Sequence, residues 1–204
     1  VVNLKNATLA LIVALAYEML LKLSHAAIPF LFNTPAVGRV TSGLSIAVAA
    51  VIVLFLYLFL KEERSNKEVE AVVLLLAGCI VLRSILRFLP AREPTAYQAL
   101  GLVRQIIGLA TSVLLFVLVL FYRKGLASGP KLLKQAASLV AVMFGIGMIP
   151  SALSLAVFAR FVVSAATIEL PPLFYSMMLV LFLMTRTAVI YFLLQYHRLK
   201  SYAG

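Results

Sequence analysis

The sequence predicts an all-α, polytopic integral membrane bundle of about six transmembrane helices, and three observations carry that prediction. First, 64% of the residues are hydrophobic and 12% charged, with a mean hydropathy of +1.09, whereas a soluble domain carries about a quarter charged residues. Second, the chain holds six apolar stretches long enough to cross a hydrocarbon core of about 30 Å, each needing about 20 residues. Third, the connections between them are short and marked by proline, glycine or charge. Residues 1–204 therefore read as a single transmembrane domain with no room for a separate soluble one.

The first helix is expected from about Ala7 to Phe32. Lys5 ahead of an apolar run and the small residues of Ser24-His25-Ala26 resemble a signal peptide, but Glu18 and Lys22 inside the run argue against that reading. Thr34 as N-cap and Pro35 as first helical residue start the second helix, which runs to Leu60. Its Gly43 and Ala47 form a small-residue face on which another helix could approach closely.

Ser65 and Glu68 have capping-box spacing and launch a third helix ending near Leu89. Thr95 and Gln98 repeat that spacing after Pro94 and open a fourth, to about Tyr122. The fifth stretch, from about Lys131 to Val163, is too long for one straight span, so it is expected to be kinked or broken near Pro150. Ala137, Ala141 and Gly145 make a second small-residue stripe on it. The sixth helix follows Pro171-Pro172 and ends near His197.

Eighteen Lys and Arg against seven Glu and no Asp give a net charge of +11. In a soluble protein this would suggest nucleic acid; beside apolar segments it is a topology signal and favours anionic lipids, with no nucleic acid expected. Lys5, Lys61, Arg64, Lys67, Arg123, Lys124, Lys131, Lys134, Arg198 and Lys200 gather on one side. The positive-inside rule then puts both termini in the cytoplasm, the plasma (inner) membrane being the expected location.

Seven ionisable residues fall within or near the spans: Glu18, Lys22, Arg83, Arg87, Arg104, Arg160 and Arg186. A basic side chain at a helix centre costs about 2.5 to 3.5 kcal/mol, less if it snorkels to the interface. Glu18 and Lys22, four apart, are expected to neutralise each other as an intramembrane pair. Arg83, Arg87, Arg104 and Arg160 admit two readings. They snorkel to headgroups and pair with helix-end carbonyls, or they line a cationic pocket that binds an anion or lipid headgroup through bidentate guanidinium contacts. Arg186, beside Thr185 and Thr187, has no partner that the sequence names.

The residue inventory disfavours several classes. Without Asp there are no paired-aspartate or aspartate-metal sites, and His25 and His197 lie at opposite span ends, so no shared metal, cofactor or catalytic triad is expected. The lone Cys79 excludes an intrachain disulfide and reads as a packing residue. The expectation is a non-enzymatic binding, sensory or accessory module, with membrane lipids and a larger complex or homo-oligomer as partners. The rival is a small transporter or channel for an anionic or amphipathic solute. A membrane enzyme would have to use Glu18 as its acid or base.

Overall fold

The structure, a computed structural model, describes residues 3–28, 35–62, 67–86, 94–125, 130–164 and 172–202. Six helices follow one another there: α1 (Leu4–Ala27), α2 (Pro35–Glu62), α3 (Lys67–Leu86), α4 (Pro94–Gly125), α5 (Lys131–Ser164) and α6 (Pro172–Tyr202). Each is long and apolar enough to span a membrane, and the chain is a multi-pass helical bundle. In an apolar 18-residue stretch of each span only 11% to 22% of the residues are buried. Leu74 and Leu75 at 60% exposure and Ile149 at 70% need lipid around them rather than water.

Local chemistry sets the helix ends. Asn3 is extended (φ −114°, ψ 167°), and its side chain accepts the Asn6 N–H at 2.9 Å, so α1 starts three residues before the expected Ala7. It stops at Ala27, short of Phe32. Ile28 precedes Pro29, whose ring disfavours a helical neighbour, and it leaves the helix at φ −135°, ψ 65° with its N–H on the Ser24 carbonyl. Prolines open α2, α4 and α6; Thr95, expected as a cap, is therefore inside the first turn of α4. At their far ends α4 and α6 outrun the expected Tyr122 and His197. Thr34, Ser65 and Leu89 lie outside the described residues.

α5 has 34 residues, about 51 Å at 1.5 Å per residue. It passes Pro150 without a break. The proline withholds an N–H from the Ile146 carbonyl, and one residue on the Ser151 hydroxyl donates to the Gly147 carbonyl at 2.9 Å.

The helices close a ring. α1 packs on α2, α2 on α3, α3 on α4, α4 on α5, α5 on α6 and α6 back on α1, and among the described residues no helix packs against one across the ring. Neighbours run antiparallel, because one cluster joins the start of α1 (Leu4), the end of α2 (Leu56, Phe59), the start of α3 (Val73, Leu76), Leu118, Leu133 and Tyr196. That end, called proximal below, is plugged. Phe55, Phe59, Tyr122, Phe192 and Tyr196 stack across it with ring centroids 5.6 to 6.3 Å apart.

The two small-residue stripes have different fates. Ala137 and Ala141 are buried, and a Cβ on Gly145 would lie 3.8 Å from the Phe116 ring, so this stripe lets α4 approach α5. Gly43 and Ala47 are exposed, and no described residue lies within 4 Å of a Cβ on Gly43. The close approach expected there does not occur among the described residues. The inward stripe of α2 runs through Ser45, Ala49, Ile52 and Leu56, and this turns Gly43 and Ala47 outward.

Candidate functional site

Every helix sends one stripe of side chains to the ring axis, and each stripe is apolar near the plug. On α1 the helical spacing Leu4, Leu11, Leu15 continues to Glu18; on α3, Val73, Leu76, Ile80 continues to Arg83 and Ser84. On α6, reading back from Tyr196, Leu193 and Val189 lead to Arg186. Ser45 and Thr111 complete a polar belt. At 1.5 Å per residue, Arg83 stands about 15 Å above Val73, Arg186 about 15 Å above Tyr196, and Glu18 about 21 Å above Leu4. Glu18, Ser45, Arg83, Ser84, Thr111 and Arg186 line a cavity of about 200 Å³ to which all six helices contribute.

The charges are arranged differently from the sequence expectation. Glu18 Oε2 lies 3.0 Å from Arg186 Nη2, while Lys22 is exposed one turn further along α1. The intramembrane pair is Glu18 with Arg186, not Glu18 with Lys22. The inward stripe carries Glu18 to the α1–α6 seam, and Lys22 can reach the membrane surface instead. Arg186 also lies over the Phe182 ring, 5.2 Å from its centroid. The ion pair leaves hydrogen-bonding capacity unused, since Glu18 Oε2 and Arg186 Nε are buried yet neither makes a hydrogen bond of good geometry among the described residues. Buried polar atoms in that condition call for an explanation.

The other arginines separate. Arg83 lines the cavity beside Gly108, where an added Cβ would be 3.9 Å from its guanidinium carbon. The guanidinium therefore lies against α4 at a distance that an alanine at 108 would also permit. Arg104 donates from Nε and Nη2 to the Leu86 carbonyl at 3.2 and 2.5 Å, tying α4 to the last described residue of α3. Arg104→Leu should therefore destabilise the bundle by about 1 to 3 kcal/mol, read as a lower unfolding temperature with ligand binding unchanged. Arg160 is exposed on α5 and does not line the cavity. Arg87 lies outside the described residues.

Three hydroxyls line the cavity and each spends its hydrogen on its own helix: Ser45 on the Thr41 carbonyl at 3.0 Å, Ser84 on Ile80 at 2.9 Å and Thr111 on Ile107 at 2.7 Å. Their oxygens remain acceptors. Spacing along the inward stripes could have found the Glu18–Arg186 level, because both residues continue an apolar periodicity. The three hydroxyls carry no such signal. Among the described residues no group of three or more His, Cys, Asp or Glu side chains could hold a metal ion. Comparison with known protein families, curated proteins and solved structures finds no match.

Proposed function

We propose that the ring is a non-enzymatic binding module for an amphipathic anion, acting as a sensory or accessory subunit in its membrane. The observation that carries the reading is the cavity wall. Two guanidinium groups, one carboxylate and the three hydroxyls face a space whose remaining walls are apolar, and among the described residues the Arg186 Nε donor is unfilled. A guanidinium has five N–H donors, so it can take a ligand oxygen beside any bond it already makes. The apolar walls of Leu15, Ile52 and Phe144 suit hydrocarbon.

Lys61, Arg123, Lys124, Lys131, Lys134 and Arg198 cluster on the proximal side, which by the positive-inside rule favours cytoplasmic termini, with the polar belt toward the outer half. Anionic lipids would favour the same orientation.

The test uses the full chain in nanodiscs, titrated with dodecanoate and with dodecanol. A ligand at a hundred times its dissociation constant stabilises by about 2.7 kcal/mol, so dodecanoate should raise the unfolding temperature while dodecanol does little. Arg83→Gln should weaken dodecanoate binding at least about tenfold, which corresponds to 1.4 kcal/mol, and Arg160→Gln should leave it unchanged. Equal responses to acid and alcohol, or none to either, would overturn the reading. Protein-dependent release of dodecanoate inside sealed liposomes would make the module a transporter.

A further inference from the structure

A second hollow, of about 680 Å³, lies on the seam between α2 and α3. On α2 it is walled by the stripe Ile46, Ala50, Val53 and Tyr57, and on α3 by Val81 and Ile85. These residues recur at helical spacing on faces turned from the ring axis, so the hollow opens to lipid. Its lining is almost wholly apolar, Ser84 and Tyr57 being its only polar side chains.

The hollow and the central cavity share walls. Ala49, Ile80 and Ser84 line both. Two of the three are small, and Arg83, next to Ser84, lies on the cavity side. Among the described residues this seam is also the most sparsely packed in the ring. An apolar trough open to the bilayer therefore adjoins a charged chamber across a thin partition.

We infer that the ligand is a single-chain fatty carboxylate drawn sideways out of the bilayer through the α2–α3 seam, a conclusion that rests on reading the cavity as an anion site. The acyl chain lies in the outer trough, which spans about 16 Å of α2 from Ile46 to Tyr57 at 1.5 Å per residue. The carboxylate passes Ser84 and is held by Arg83 and Arg186. Size favours this class: drug-sized ligands occupy roughly 300 to 1,000 Å³, and a chamber of about 200 Å³ takes a small head rather than a glycerophospholipid head. Charge complementarity selects the acid over the alcohol. The bilayer supplies the tail with no transfer through water.

The test reconstitutes the full chain in nanodiscs with palmitate carrying a diazirine near its methyl end, and maps photo-crosslinks by mass spectrometry. Label should concentrate on 46–57 and 80–85 and be displaced by excess oleate. Ala49→Leu, which thickens the partition, should cut that labelling at least about fivefold. So should Ala50→Leu, which fills the trough without touching the cavity and is not exposed to core strain. Ala50→Leu should keep a thermal response to hexanoate, whose tail is too short to need the trough. Label spread over all six helices and not displaced by oleate would identify ordinary surrounding lipid and overturn the inference. Equal labelling by the methyl ester would overturn it too, since the head would not be held by charge. If wild-type protein responds to hexanoate but the trough is not labelled, only the lateral route falls; if no carboxylate binds, the anion site falls first.

Discussion

Glu18→Gln should lower the stability of the bundle by about 1 to 3 kcal/mol, with a comparable loss for Arg186→Gln. Removing one member of a buried ion pair costs about 3 to 5 kcal/mol because it strands the other charge. Here the side chains keep 23% and 26% exposure, and that partial exposure reduces the figure. The double variant Glu18→Gln/Arg186→Gln should cost much less than the two singles together, since no charge is left stranded. Unfolding temperatures of the four proteins in one detergent close the cycle. Strict additivity would show that the two residues do not interact. Glu18→Gln also leaves two arginines facing the cavity with no carboxylate among its described lining residues, so affinity for dodecanoate should rise even as stability falls.

Leu76→Ala should be at least as damaging, at about 2 to 4 kcal/mol. Leu76 is fully buried in the plug among Leu4, Leu56, Val73, Leu133 and Tyr196. Truncating a buried leucine to alanine costs about 2 to 5 kcal/mol, part of it for the void left behind. In a bilayer the transfer from water is largely absent and lost packing dominates, which favours the lower part of that range. Leu74→Ala, two positions away but 60% exposed to lipid, should change stability by less than about 0.5 kcal/mol. The pair of unfolding temperatures compares the two faces of one helix. Similar losses would mean that α3 is not held by its inward stripe.

The helices were legible because hydropathy and proline act locally. Pro35, Pro94 and Pro172 each open a helix, whereas the proline after Ile28 is a signal that the expected end at Phe32 passes over, and the first helix stops at Ala27. Short connections also imply antiparallel neighbours. The meeting of α1 with α6 is not written in any local pattern, and the Glu18–Arg186 pair depends on it. Lys22, one turn away in sequence, was the obvious partner and is the wrong one. Arginines near one hairpin likewise looked like a single group, yet Arg104 serves the Leu86 carbonyl and Arg83 faces the cavity. Which way a helix is rotated decides such roles, and that follows from the packing of the whole ring.

Ring closure also imposes an order on synthesis. α1 emerges before α6 and carries Glu18 into the membrane, but its counter-charge sits on α6, roughly 170 residues later, which is about 10 to 30 s at 5 to 20 residues per second. During that interval Glu18 must wait at the membrane surface or on a helper protein, and the bundle is an open crescent with its polar belt turned to lipid. Only when the last helix swings in do the two ends of the crescent meet and the chamber acquire its wall. Quality control that senses a stranded carboxylate within the bilayer would then recognise every unfinished copy of this chain by the same mark.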